Sequence, residues 1–150
     1  MTKNLYILLG VSWLALAGVL LGCSRAPVPS PAVNEAAADI WGTKWRLEYL
    51  AEDRAIGGVR ATLEFPEIGR ASGDASCNQF AGAVEIAGET IKFGPLVSTK
   101  MACADAIGAQ EANYLKGLEE ATTYRIEGTL LTMYSKEKDP LLRFMRTSPP

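Results

Sequence analysis

The sequence predicts one β-rich α+β domain, in which a strongly curved antiparallel sheet or a partly open β-barrel is closed by one α-helix at about residues 109–122. Short segments of alternating apolar and polar residues recur along the chain, separated by glycine or proline, as is typical of antiparallel strands joined by tight turns. One late stretch has helical spacing instead. Strands and helices do not alternate, which argues against a parallel sheet with crossover helices.

Strict alternation predicts the first two strands. Trp45, Leu47 and Tyr49 are separated by charged residues, which is the period of a half-buried strand. The same alternation runs over residues 59–65 and stops at Pro66, which has no N–H to donate to a sheet. We therefore expect two strands joined by a polar, glycine-containing loop.

The middle of the domain predicts a hairpin between two less regular segments. Residues 70–82 contain several small residues and are expected to be extended but irregular. Residues 83–86 and 90–93 flank Ala87–Glu89, a plausible hairpin loop with glycine at its centre. Residues 96–103 mix strand-forming and ambiguous residues, so no regular element is assigned to them.

Residues 109–122 predict the helix. Ala112, Leu115 and Leu118 recur near helical spacing, with Tyr114 widening the apolar face and most charges lying away from it. The β-type alternation then returns between residues 123 and 145, which predicts two or three closing strands.

The N-terminal residues are predicted to be a targeting sequence rather than part of the domain. An apolar run over residues 5–21 follows a charged N-terminus, as in a secretory signal peptide. Residues 20–23, Leu-Leu-Gly-Cys, resemble a bacterial lipobox, in which cleavage leaves Cys23 as the acylated first residue. We expect residues 1–22 to be a lipoprotein signal peptide. An uncleaved membrane anchor is the alternative, because the run nearly spans a bilayer.

Residues 23–38 are predicted to be the lipidated cysteine and a flexible tether, and residues 39–147 the domain. The tether contains three prolines and few large apolar side chains, so it cannot bury enough surface to offset the cost of ordering. Ser24, rather than aspartate, follows Cys23, which in Gram-negative lipoproteins indicates the outer membrane. The expected location is the cell envelope, facing the periplasm, on a palmitate-type acyl anchor.

Composition excludes several classes of function. The formal net charge is −2 and the basic residues are scattered, so no nucleic-acid partner is expected. The chain contains no histidine, which excludes triads and zinc sites that depend on it. The serines have no evident activating base and the carboxylates form no paired motif. We expect no enzymatic activity, no cofactor and no metal.

Cys77 and Cys103 are the two cysteines of the domain. Their separation of 26 positions does not match the paired knuckles of a zinc site, and in an exported protein a disulfide is expected. Two free buried thiols or a redox pair are the alternatives. Asn78 is interpreted as a turn or bulge residue rather than a ligand contact, and Gly73 and Gly82 as backbone-conformation sites.

A set of short motifs spread over the domain resembles the META domain, also called HslJ-like. The combination of C-N-x-F-x-G with T-x-M-A-C is the most specific part. The residues that carry the resemblance include Trp45, Gly73, Cys77, Asn78, Phe80, Gly82, Thr99, Met101, Cys103 and Glu111. Ser76 departs from the family, which commonly has glycine there, so a sharp positive-φ turn is not expected at Ser76.

The resemblance implies a bacterial secreted protein or lipoprotein, linked to stress responses, with a β-rich, partly open barrel and one packed helix. The expected function is a membrane-tethered, non-catalytic envelope module, monomeric, that binds or stabilises envelope proteins. The alternative is an apolar-ligand or lipid carrier, or a pilotin-like assembly chaperone, with a cavity lined by Ile91, Phe93, Leu115 and Leu118.

Overall fold

The computed structural model describes residues 40–147 of the chain. The expected signal peptide, the lipid-attachment residue Cys23 and the tether lie outside the described residues. Within residues 40–147, no helix combines the length and the apolar character needed to cross a membrane.

Residues 40–147 form ten β-strands and one α-helix. In chain order these elements are β1 (Thr43–Leu50), β2 (Asp53–Arg54), β3 (Thr62–Phe65), β4 (Arg70–Asp74), β5 (Gln79–Ala87), β6 (Thr90–Phe93), β7 (Val97–Ser98), α1 (Asp105–Glu120), β8 (Thr123–Glu127), β9 (Leu130–Tyr134) and β10 (Pro140–Arg146). Several predicted strands are therefore confirmed, although β3 begins at Thr62 rather than at residue 59.

Eight of these strands form a closed antiparallel barrel in the order β1-β3-β4-β5-β6-β8-β9-β10. Closure comes from pairing between the first and last strands, with Trp45 opposite Arg146 and Leu47 opposite Phe144. The short β2 and β7 are added to β1 and β5. The predicted class, a β-rich fold closed by one helix, is confirmed. The barrel is closed rather than partly open, which leaves fewer unpaired strand edges.

Alternation along the strands places the large apolar side chains inside the barrel. Trp45, Leu63 and Phe144 have no exposed surface, and Tyr114 and Leu118 of α1 are equally buried. Tyr114 makes edge-to-face contacts with Phe80 and Phe144 at centroid separations of 5.7 and 6.0 Å. The helix is thereby packed into the same core as the strands.

The helix starts earlier than predicted, and its buried face includes the predicted Tyr114 and Leu118. α1 begins at Asp105 rather than at residue 109, and it ends at Glu120. Its buried residues include Gln110 and Gly117, whereas Ala112 is exposed. Periodicity missed Gln110 because it is polar and counts as a surface residue in any hydropathy pattern.

The segment 70–82, expected to be extended but irregular, is extended and forms regular strand β4 and the first part of β5, joined at residues 75–78. Gly73 and Gly82, interpreted as backbone-conformation sites, lie where neighbouring atoms approach the backbone closely. A Cβ on Gly73 would lie 2.0 Å from the carbonyl oxygen of Thr62, and a Cβ on Gly82 would lie 2.6 Å from Leu96 Cδ2. Neither glycine has a positive φ, so the requirement is space, not an unusual conformation.

The predicted hairpin at residues 83–93 is confirmed. β5 and β6 pair from Val84 opposite Phe93 to Ala87 opposite Thr90, which leaves Gly88 and Glu89 as the two-residue turn. Gly88 has a φ of 64°, the left-handed conformation that such turns require.

Replacing Gly73 tests the close approach of β3 and β4. Gly73→Ala should lower the free energy of unfolding by about 2–3 kcal/mol, because the methyl group must push the Thr62 backbone away. Gly108→Ala is the control, since its Cβ would meet nothing within 4 Å; it should leave stability unchanged or raise it by up to about 1 kcal/mol. Urea unfolding measures both. A Gly73→Ala variant as stable as the wild type would show that the strands are not so close.

Candidate functional site

The motif residues converge where three segments of the domain meet. The β4–β5 turn supplies Cys77 and Asn78, and the first turns of α1 supply Glu111. The segment after β7 supplies Thr99, Met101 and Cys103. We call this set the Asn78 cluster; it consists of Cys77, Asn78, Thr99, Met101, Cys103 and Glu111. The sequence named all six, and the structure brings them together through direct contacts.

The side-chain amide of Asn78 is the centre of the cluster, and it is only 5% exposed. Its Oδ1 accepts hydrogen bonds from Thr99 Oγ1 at 2.9 Å and from the Met101 backbone N–H at 2.7 Å. Its Nδ2 donates to Glu111 Oε1 at 2.9 Å and to the Met101 carbonyl oxygen at 3.5 Å. Both the donor group and the acceptor of a buried amide are therefore satisfied. Asn78 is more than the turn residue that the sequence suggested.

Glu111 is clamped by Asn78 through both carboxylate oxygens. The backbone N–H of Asn78 donates to Oε2 at 2.7 Å, while its side chain donates to Oε1. Hydrogen bonds to an ionised acceptor are about twice as strong as neutral ones, and two from one residue also fix orientation. The carboxylate thus attaches α1 to the β4–β5 turn.

Cys77 and Cys103 form a disulfide, as expected, and are not two free thiols. Their Cα atoms are 6.2 Å apart, within the usual range for a disulfide. The bond joins the β4–β5 turn to the segment just before α1. It therefore connects covalently two of the segments that Asn78 joins by hydrogen bonds.

Gln110 is a structural part of this region that the sequence pattern did not indicate. Its Oε1 accepts from the Ile56 backbone N–H at 2.7 Å, and its Nε2 donates to Ser76 Oγ at 2.8 Å. The side chain is 6% exposed, so the two bonds satisfy an amide that would otherwise be costly to bury. The only signal in the sequence was that each residue directly precedes a motif residue. Gln110 precedes Glu111, and Ser76 precedes Cys77.

The expectation at Ser76 is wrong. Its φ is 94°, so the sharp turn is present although serine replaces the glycine common in the family. A left-handed backbone at a non-glycine residue costs about 1–3 kcal/mol and persists where neighbours impose it. Here the hydrogen bond from Gln110 and the adjacent disulfide hold the turn in place.

Tyr114 extends the polar contacts from the helix into the barrel. Its hydroxyl donates to the Thr62 carbonyl oxygen at 2.9 Å, and Thr62 Oγ1 accepts from the Asp74 backbone N–H at 3.1 Å. Burial, and to a smaller extent the negative charge of Asp74, raise the pKa of Tyr114 well above its usual value. The hydroxyl is therefore held neutral as a donor.

The other residues named from the sequence belong to the fold rather than to the cluster. Trp45 is fully buried, its Nε1 donates to Thr43 Oγ1 at 2.6 Å, and the guanidinium of Arg146 lies 4.5 Å from its ring centroid. Phe80 is buried against Tyr114. Gly73 and Gly82 allow the close strand contacts described above.

A shallow surface groove of about 580 Å³ adjoins the cluster. It shares Thr99 with the cluster and runs past β7 across the outer surface of β4 and β5. Val97 and Met101, on either side of Thr99, are 71% and 60% exposed. This region therefore combines a rigidly held segment with two exposed apolar side chains.

The hydrogen bonds and the disulfide of the cluster attach three segments of the chain to one another. The Glu111 carboxylate accepts two short hydrogen bonds, the Thr99 hydroxyl donates to Asn78, and the sulfurs are bonded to each other. Sγ of Cys77, Sγ of Cys103 and a carboxylate oxygen of Glu111 nevertheless lie within 4.8 Å of one another. The cysteine spacing alone did not reveal this grouping, because its third member comes from the helix.

Removing the Asn78 amide should be strongly destabilising. Asn78→Ala leaves the Met101 N–H without its acceptor and removes one donor from Glu111, so we expect a loss of about 2–4 kcal/mol. Asn113→Ala, which removes an exposed amide from α1, is the matched control and should change stability by less than about 0.5 kcal/mol. Denaturant unfolding of both variants checks this. Equal effects would mean that the cluster carries little stability.

Two substitutions at Ser76 separate backbone strain from the hydrogen bond. Ser76→Ala and Ser76→Gly both remove the acceptor for Gln110, but only glycine tolerates a φ of 94° without cost. Ser76→Gly should therefore be the more stable of the two by about 1 kcal/mol. Thermal unfolding compares them. An alanine variant at least as stable as the glycine variant would show that the turn is unstrained.

The pKa of Tyr114 predicts a loss of stability at alkaline pH. The pKa of Tyr114 in the folded protein is raised above the unfolded value of about 10. The stability that its neutral hydroxyl contributes is therefore fully present below pH ~10 and is lost as pH rises through the folded pKa. Tyr114→Phe should cost about 1 kcal/mol at neutral pH but should show a smaller decline above pH ~10. Urea unfolding across this range tests it, and parallel declines of the two proteins would contradict it.

Three solved structures share this fold. One, described as an NMR structure of a protein from Burkholderia xenovorans, has 26% identity and a TM-score of 0.62, covering 84% of this chain and 96% of its own. Another NMR structure has 19% identity and a TM-score of 0.59, covering 72% and 92%. A crystal structure of a DUF4847 family protein from Bacteroides vulgatus has 12% identity and a TM-score of 0.55, covering 75% and 98%. The last two show the fold alone.

No functionally curated protein matches this chain significantly. The family described as META domain matches residues 38–148, which is most of the chain and all of the described residues. The motifs that carried the resemblance are those that build the Asn78 cluster and its surroundings. The chain belongs to the META domain family.

Proposed function

We propose that this META domain protein is a membrane-tethered, non-catalytic module of the cell envelope, which binds or stabilises envelope proteins under stress. In this proposal Cys23 carries the lipid, residues 24–38 give the domain reach, and the monomeric domain faces the periplasm from the outer membrane. Several acyl chains, each contributing about 0.8 kcal/mol per buried CH₂, would make the attachment effectively permanent.

The observation that carries the proposal is the state of the polar groups in the Asn78 cluster. Asn78 and Glu111 are bonded to each other, Thr99 donates to Asn78, and the two sulfurs form a disulfide. Each group is used to hold the helix, the turn and the β7 segment in fixed positions. Such an arrangement favours a rigid binding surface over a reactive centre.

The surface best suited to a protein partner lies on residues 97–101, the segment that the Asn78 cluster holds in place. Val97 and Met101 are exposed by 71% and 60%. The Met101 backbone is fixed by hydrogen bonds at both its N–H and its carbonyl oxygen. Apolar side chains carried on a fixed backbone lower the entropic cost of binding, which favours this segment as the contact site.

The side chains suggested for an apolar-ligand cavity pack into the protein core. Ile91 and Leu118 are 1% and 0% exposed, Phe93 is buried, and Leu115 packs against the same cluster of core residues. These contacts give the four side chains a packing role. The carrier alternative therefore gains no support from them.

Crosslinking in intact cells tests the proposal. A photoreactive amino acid placed at Val97 or Met101 of the full chain should give one or a few discrete crosslinked products. The same amino acid at Glu52, an exposed loop residue, is the control and should give none of them. Cys23→Ser should reduce the products and release the protein from the membrane fraction, because the acyl anchor is lost.

Identical crosslink patterns at Val97, Met101 and Glu52 would contradict the partner-binding role. Unchanged membrane association and no loss of metabolic fatty-acid labelling in Cys23→Ser would contradict the lipid anchor separately. The two parts of the proposal can therefore fail independently.

A further inference from the structure

Two sulfurs and one carboxylate converge in the Asn78 cluster from three separate segments. Sγ of Cys77, Sγ of Cys103 and a carboxylate oxygen of Glu111 lie within 4.8 Å of one another, and all three residues are half-buried. Donor atoms that share one zinc-like ion lie within about 4.6 Å of each other, since each bond is about 2.0–2.3 Å long. The three side chains are therefore close enough to reach a single ion once the disulfide is opened and the two sulfurs have separated.

The third donor is oriented in advance. Asn78 donates its backbone N–H at 2.7 Å and its side-chain N–H at 2.9 Å to the two oxygens of Glu111, which leaves lone pairs on both oxygens. Outer hydrogen bonds of this kind hold the carboxylates of protein metal sites in position. The Met101 carbonyl oxygen lies 3.4 Å from Cys103 Sγ and adds an oxygen at the same place.

We infer that the Asn78 cluster is a redox-controlled metal site, in which Cys77, Cys103 and Glu111 bind one thiophilic divalent ion such as Zn²⁺ when the disulfide is reduced. This inference goes beyond the proposed binding function and does not depend on it. Two thiolates and a carboxylate are a suitable ligand set for such an ion, with water or the Met101 carbonyl oxygen completing a tetrahedral shell.

The chemistry balances with a dithiol reductant. The reductant transfers two electrons and two protons to the Cys77–Cys103 bond and becomes a disulfide itself, leaving two thiols. Binding of M²⁺ to the two sulfurs then releases the two thiol protons to solvent. The disulfide and the metal exclude each other, because the ligand for such an ion is a thiolate and a disulfide sulfur carries no thiolate charge.

Small movements are sufficient to reach the bound geometry. Two thiolates on one tetrahedral ion lie about 3.8 Å apart, so the sulfurs must separate after reduction. Rotation of the two cysteine side chains can provide this separation while their Cα atoms stay near 6.2 Å. The hydrogen bonds that Asn78 accepts from Thr99 and Met101 and donates to Glu111 do not involve the disulfide and can hold the backbone meanwhile.

Metal titration of the reduced and oxidised protein tests the inference. The full chain carrying Cys23→Ser is used in detergent, so that only two thiols can react. After reduction and removal of the reductant, Zn²⁺ is titrated against a chromophoric chelator and Cd²⁺ is followed by its ultraviolet thiolate charge-transfer band. We expect one ion per chain in the reduced protein and no specific binding in the oxidised protein.

Two substitutions on α1 identify the third ligand. Glu111→Gln should weaken Zn²⁺ binding at least about tenfold, while Glu119→Gln, an exposed carboxylate on the same helix, should leave affinity unchanged. Circular dichroism establishes that each variant is folded. If Glu111→Gln does not fold, X-ray absorption of the zinc-loaded parent protein should show two sulfur scatterers with the remaining scatterers oxygen.

The inference would be overturned if the reduced chain bound no stoichiometric Zn²⁺, or if the oxidised chain bound it equally well. Unchanged Zn²⁺ affinity in a folded Glu111→Gln variant, or a zinc coordination shell without two sulfurs and oxygen, would also overturn it.

Discussion

The amide of Asn78 lies where water has little access, so each of its polar groups must find a partner within the protein. A buried amide that lacks its partners costs about 1–3 kcal/mol, which is a large part of the stability of a domain this size. The partners come from the segment after β7 and from α1, and Asn78 itself lies between β4 and β5. Satisfying one side chain therefore fixes three segments of the chain relative to one another. The disulfide strengthens this arrangement but does not explain its hydrogen bonds.

The polar contacts also explain how a weakly amphipathic helix packs so firmly. Gln110, Glu111 and Tyr114 attach the middle of α1 to the loop near Ile56, the β4–β5 turn and Thr62. The last turn packs by shape, with Gly117 placing the helix backbone against Leu142. Directional bonds thus set the register of the helix on the barrel, and apolar burial supplies most of the remaining stabilisation. A rigid attachment of this kind also presents Val97 and Met101 in fixed positions.

Local chemistry made part of this structure predictable. Alternation in β1 and the glycine turn at Gly88 are short-range signals, and both elements were predicted correctly. Closure of the barrel was not predictable, because the pairing of β1 with β10 joins residues about a hundred positions apart and leaves no local pattern. The start of α1 was missed because its first turn contains Gly108 and lacks a side-chain cap. Gln110 was missed because polarity marks a residue as exposed unless its partners are known.

The site was predicted as a set of residues but not as a geometry. Family motifs named Asn78, Thr99, Met101 and Glu111, whereas no spacing indicates that all four meet at one amide. We conclude that this amide holds the three segments together until the whole domain unfolds. Native-state hydrogen exchange measures whether it does. The backbone N–H groups of Asn78 and Met101 should exchange only through global unfolding, at the rate of core strand amides. Exchange as fast as that of the exposed neighbour Ala102 would contradict the claim.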